Sequence, residues 1–183
     1  MHLVAEKAAL FSAVFLGAAA LVVEGNAQSP SLEETLIDVF LGNCVRNLPN
    51  VEKIRAASRV LGWKSLSRDA AVMFGPIDPR AEFEGWLGTE KSVRYVVGIS
   101  LGSIGAQPVT TCAIAQPEFK QVDLLRNLEA KLKLKYLNDE KEAGQRYRSW
   151  TSEVNGYSMM IMLTTLDNIN EPGGSLSAAV KIR

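Results

Sequence analysis

Apolar side chains recur at helical spacing from Leu32 onward, through Leu36, Ile37, Phe40, Leu41, Cys44 and Leu48. Ser31 to Glu34 precedes them as a capping box, in which a serine hydroxyl and a glutamate carboxylate each satisfy an amide that a helix start leaves without a partner. The pattern predicts a first helix that ends before Pro49 and carries Cys44 on its buried stripe. Asn50 can cap a second helix, with Val51, Ile54, Ala57 and Leu61 on one face and Gly62 as its stop. The chain thus enters its fold through a helical hairpin.

Beyond Pro76 the period changes to two. Val93, Tyr95, Val97, Ile99 and Leu101 alternate with Arg94, Val96, Gly98 and Ser100, the reading of a strand with one buried face. Glu82 to Gly88 and Val109 to Ala115 read as its antiparallel neighbours. Glu118 to Leu132 returns to helical spacing through Phe119, Val122, Leu125, Leu128 and Leu132. Residues 138–144 read as a charged solvent loop. Three more strands follow at Arg146 to Ser152, Tyr157 to Thr165 and Ser175 to Ile182, with turns at Asn155-Gly156 and Pro172-Gly173-Gly174.

Helices grouped apart from antiparallel strands define an α+β class and not alternating βαβ units. The expected architecture is a two-layer fold: an N-terminal helical hairpin, an antiparallel sheet of about five to six strands, and one further helix between two three-strand sets. Each set contains a tryptophan, Trp86 and Trp150, which raises an internal repeat, although no residue-by-residue match supports it.

The segment before this pattern has an export signature. Ala8 to Val23 is apolar and uncharged, Lys7 precedes it, and the small residues Gly25 and Ala27 stand where a signal peptidase reads. The expectation is a signal peptide over residues 1–27, cut between Ala27 and Gln28, and one globular domain over residues 28–183. A retained anchor is the alternative. As a helix rising about 1.5 Å per residue, the run falls short of a hydrocarbon core of about 30 Å. No second apolar run of that length follows, so the mature chain is expected to have no membrane span. Its expected location is extracytoplasmic, in a periplasm or secreted.

Cysteine usage fits that compartment. Cys44 and Cys112 are the chain's two cysteines. An even pair in an oxidising environment predicts one disulfide, the alternative being two separate buried thiols.

Charge narrows the possible partners. Lysine plus arginine equals aspartate plus glutamate at 20 each, so no field of one sign gathers nucleic acid.

Gly98-Ile99-Ser100-Leu101-Gly102 matches G-x-S-x-G, a pattern that presents a nucleophilic serine on a strand-to-helix turn. The chain's one histidine is His2, inside the leader, so the mature domain has no imidazole to take the Ser100 proton. The same absence removes cysteine-histidine chemistry and histidine-containing zinc sites. Nucleotide-cradling glycine motifs are absent.

Carboxylates remain for an enzyme: Glu82 and Glu84 share one face of a strand, with Asp78 nearby. Met159, Met160 and Met162 offer thioethers to a soft metal, or simply adaptable core packing. Trp63, Trp86, Tyr95, Tyr147 and Trp150 are the aromatics most able to line a groove.

These readings converge on an exported, non-catalytic binding or interaction module with no catalytic residue, metal or cofactor. Its expected partner is a protein or small molecule of the cell envelope. A histidine-free carboxylate hydrolase acting on envelope or polysaccharide substrate is the alternative.

Overall fold

The computed structural model describes residues 29–182 except Ile77; the expected signal peptide and its cut between Ala27 and Gln28 lie outside the described residues. Its first helix, α1 (Leu32–Val39), starts on the predicted capping box. The Glu34 amide donates to Ser31 Oγ at 3.1 Å and the Ser31 amide to Glu34 Oε2 at 2.8 Å. The sequence pattern continues as one helix, but the backbone widens into a π-helical segment over Phe40–Val45. Gly42 and Asn43 are weak helix formers, and asparagine amides bond the local carbonyls instead: Asn43 Nδ2 donates to Val39 O and Asn47 Nδ2 to Gly42 O, each at 3.1 Å. Helix α2 (Val51–Val60) follows, and Gly62 leaves it at φ +65°. Leu61, assigned to the buried stripe from its spacing, is 51% exposed because it lies past the helix end.

Eight strands among the described residues join one antiparallel sheet: β1 (Lys64–Ser65), β2 (Glu82–Glu90), β3 (Val93–Ile104), β4 (Gln107–Gln116), β5 (Lys135–Glu142), β6 (Gln145–Val154), β7 (Tyr157–Leu166) and β8 (Gly174–Lys181). Their spatial order is β1-β2-β3-β4-β8-β7-β6-β5. The α+β class therefore stands, while the expected five to six strands become eight, in two sets of four. The two additions are edge strands, and neither has a hydrophobic pattern to announce it. β1 has two residues, and β5 is the stretch that reads as a charged loop, exposed at every position. Its charges suit an edge that must not pair with another chain, and one of them, Asp139, holds Arg146 of β6 through two bonds of 2.8 and 2.6 Å.

Two further helices stand among the described residues. Helix α4 (Gln121–Lys131) lies beside α1. The Lys120 amide at its start donates to Glu33 Oε1 at 2.9 Å, which puts a buried carboxylate at the positive end of the helix. Lys131 at its other end reaches Asp38 of α1 at 2.5 Å, so the two helices run in the same direction. Helix α3 (Arg68–Phe74) has no buried residue, and its apolar side chains Val72, Met73 and Phe74 are exposed. It sits beside the opposite face, where a Cβ on Gly75 would lie 3.5 Å from the Phe83 ring. The arrangement is thus not a strict two-layer one: α1, the π segment and α4 cover one face, and α3 borders the other.

The two halves of the sheet repeat in register. Trp86 pairs with Val97 and Val97 with Ile114; 64 residues later, Trp150 pairs with Ile161 and Ile161 with Ala178. The tight turns match too, Lys91-Ser92 with Asn155-Gly156, all four residues at positive φ. A pseudo-twofold axis therefore passes between β4 and β8 at the pair Ala113 and Ser177. The repeating unit is a helix with four strands, α2 to β4 and α4 to β8.

Candidate functional site

Alternate residues of each strand fall on opposite faces, and the two faces differ in kind. Toward the helices, the Glu84 row continues through Ile99, Cys112, Ala178 and Ile161 to Trp150. All but Glu84 are buried. Cys44 of the π segment reaches this row and forms a disulfide with Cys112, with the two Cα atoms 5.3 Å apart. The disulfide expected between these two cysteines is thus present.

On the other face three parallel rows cross from β2 to β6, and beyond them the edge strands place Lys64 beside Leu87, Glu140 beside Tyr147 and Lys135 beside Thr151. The rows run from Leu87 through Val96, Ala115, Ser175 and Thr164 to Tyr147; from Gly85 through Gly98, Ala113, Ser177 and Met162 to Ser149; and from Phe83 through Ser100, Thr111, Ala179 and Met160 to Thr151. None of the side chains in these rows is charged. On the three central strands they are small or β-branched, so β3, β4 and β8 form a floor between taller ridges on β2 and β7. Phe83 builds one ridge by lying over the glycines: a Cβ on Gly98 would approach its ring to 2.7 Å, and one on Gly85 would meet Leu66 at 2.6 Å. Met160 and Met162 build the other. At about 4.8 Å per strand and 3.4 Å per residue, the face measures roughly 24 by 20 Å. That footprint of about 500 Å² is uncharged, and its apolar part comes from Leu87, Phe83, Val96, Met160 and Met162 together with Ala113, Ala115 and Ala179 of β4 and β8.

Ser100 stands on this floor with Phe83 and Thr111 as its strand neighbours, neither of which can act as a base toward its hydroxyl. The glycines of G-x-S-x-G make room for the Phe83 ring and for close approach, not for a nucleophile elbow.

No family model, curated protein or solved structure matches this chain. Function must therefore be read from the site itself.

Glu82 and Glu84 do share a face, the one turned toward the helices. Arg55 of α2 grips Glu84 with Nε at 2.9 and 3.1 Å and also through Nη2, while Nη1 holds Glu52 at 2.5 Å. These bonds hold the Arg55 guanidinium well above its ordinary pKa. Asp78 is half-buried and bonded by Arg80, which draws its carboxyl down to about 2. Arg80 holds Asp78 ionised, the opposite of the raised pKa that a proton donor needs, and the Glu84 carboxylate is taken up by its bonds to Arg55. Among the described residues, no group of three or more His, Cys, Asp or Glu side chains is placed to hold a metal ion.

The methionines separate as strand geometry requires. Met159 is fully buried toward the helices, and Met160 and Met162 line the open face. Of the five aromatics proposed to line a groove, Tyr147 alone is on that face, where Phe83 joins it. Trp63, Trp86 and Tyr95 form a core cluster, with ring centroids 6.5 Å apart for the tryptophan pair and 6.1 Å for Trp63 and Tyr95.

Burial pushes the Tyr95 phenol up to about 12, and Glu90 adds to the rise. The nearby Trp63 indole N–H opposes it only weakly, because it lies outside hydrogen-bonding geometry and leaves both polar atoms without a partner. A phenol whose pKa is about 10 when unfolded and about 12 when folded stabilises the fold fully below pH 10, and that contribution is lost as pH rises through 12. The thermal midpoint should therefore fall between pH 10 and 12 in the wild type and fall less in Tyr95→Phe. Equal losses in both proteins would assign the alkaline sensitivity elsewhere.

The floor residues are what sequence reasoning missed. The signal was present in Thr111, Ala113 and Ala115 and in Ser175, Ser177 and Ala179, which alternate with core positions yet are neither charged nor large.

Proposed function

We propose that this chain is an exported, non-catalytic binding or interaction module whose binding surface is the open face of its sheet. One observation carries the reading: among the described residues, no helix covers an uncharged floor of small side chains bounded by ridges at Phe83 and Met160, although helices cover most of the opposite face. A surface maintained only for solubility would carry charges, as the edge strand β5 does. Export is supported by the leader pattern of residues 1–27 and by the Cys44–Cys112 disulfide, a bond that persists in oxidising compartments.

The test places a long cation at the centre of the floor. Ser177→Arg projects into solvent and should leave the circular dichroism spectrum and thermal midpoint close to wild type. Wild-type protein exposed to envelope extract should retain a partner or ligand at stoichiometric level, and the variant should not. Equal retention by both proteins, or none by the wild type, would defeat the reading.

A further inference from the structure

Two open grooves lie at the two ends of the sheet, of about 920 and 880 Å³. They are related by the same 64-residue repeat as the strands. Leu87, Val96, Ala115 and Pro117 border one groove, and Thr151, Met160, Ala179 and Lys181 border the other at the corresponding positions. The internal duplication has thus produced two sites of related shape and not one.

Their chemistry is also related. Each is lined mainly by apolar groups and has a cation at its rim, Arg94 in the first and Lys181 in the second. Among the described residues, neither cation is in an ion pair. The first groove also has Glu118, whose carboxylate takes a bond from Gln116 Nε2 at 3.5 Å. Between the grooves the floor is uncharged, and the two cations stand about 27 Å apart along the strand direction at 3.3 to 3.4 Å per residue.

We propose that each groove binds one monomeric single-chain amphiphile, its hydrocarbon on the apolar lining and its anionic head on Arg94 or Lys181. The proposal rests on the binding reading above and names the ligand class for it. Backbone geometry favours hydrocarbon over peptide. The grooves lie over strand faces, where the sheet's own amides and carbonyls are already paired, so a peptide backbone entering there would lose its hydrogen bonds to water and gain few. Charge favours a single anionic head over a membrane surface. Among the described residues, one cation per groove on a chain of zero net charge matches one head group, whereas docking on an anionic bilayer draws on clusters of several basic residues. Groove volumes near 900 Å³ fall in the range of small-molecule sites. Glu118 weakens the attraction in the first groove, so the Lys181 groove binds more tightly.

Calorimetric titration with laurate, below its micelle concentration, should show two sites per chain. Ala179→Trp should remove the tighter site and Ala115→Trp the weaker, each reducing the stoichiometry from two to one. Lys181→Glu, at an exposed position that folding does not need, should weaken the tighter site at least tenfold and leave binding of the neutral dodecanol unchanged.

A single site, two sites indifferent to both tryptophan substitutions, or dodecanol bound as tightly as laurate would overturn the proposal. Binding only to vesicles of anionic phospholipid, with none to monomeric laurate, would overturn it as well. If laurate does not bind while Ser177→Arg still strips the envelope ligand, the ligand class falls and the binding face stands. If laurate fills both grooves while Ser177→Arg changes nothing in the extract, the envelope partner falls and the grooves stand.

Discussion

Replacing Cys44 and Cys112 together with alanine should lower the unfolding free energy by about 4 kcal/mol, the loss expected when a cross-link over a loop of this length is removed. The bond joins residues 68 apart in sequence. Without it the unfolded chain regains the entropy of that loop, and both sulfur positions, fully buried in the fold, become small voids. The effect is concentrated where the helical layer meets the sheet, because Cys44 belongs to the π segment and Cys112 to β4. Thr111 and Ala113, the strand neighbours of Cys112, are floor residues on the opposite face. Urea unfolding of the oxidised, reduced and double-alanine proteins measures the difference. A loss below about 1 kcal/mol would mean that helix packing alone fixes that layer.

Much of the architecture was legible because local chemistry and tertiary packing agree. The Ser31 cap, the alternation of β3 and the Asn155-Gly156 turn each state their geometry in adjacent residues. Where they disagree, the sequence is silent. Lys91-Ser92 adopts the same positive-φ turn as Asn155-Gly156 without a glycine or asparagine to mark it. β5 is a strand only because β6 offers it a partner, and its own residues read as solvated loop. α3 is held by its Ser67 cap, with the Ala70 amide donating to Ser67 Oγ at 3.3 Å, and buries nothing.

The binding face was hidden for a different reason. Alternation separates a strand's two faces but does not say which one the helices cover, and a floor of serine, threonine and alanine suits either side. The repeat was equally veiled, since its halves share register and pattern with few identities. Glu84 and Arg148 occupy equivalent positions beneath α2 and α4, yet one is bound to Arg55 and the other donates to Gln121 Oε1 at 3.3 Å. Burial with a neutral partner draws the Arg148 guanidinium below its ordinary pKa.

Trp86→Ala and Trp150→Ala should each cost about 3 to 5 kcal/mol, the range for truncating a buried aromatic side chain. The two indoles are equivalent in the repeat, 8% and 5% exposed, and each fills the space between an outer strand and the helical layer. They are also far apart. With β3, β4, β8 and β7 between their strands, the separation is about 24 Å at 4.8 Å per strand. Sites that distant, with no shared neighbour, combine additively within about 0.5 kcal/mol. The double variant then loses about 6 to 10 kcal/mol, comparable to the whole stability of a typical domain, and should be largely unfolded at 25 °C. Chemical denaturation of the two single variants and a circular dichroism spectrum of the double variant test this. If either single substitution costs less than about 1.5 kcal/mol, that half of the sheet does not depend on its indole. If the double variant instead unfolds in two steps, the halves joined by the β4 and β8 pairing are separate cooperative units, and the repeat is one of folding as well as of form.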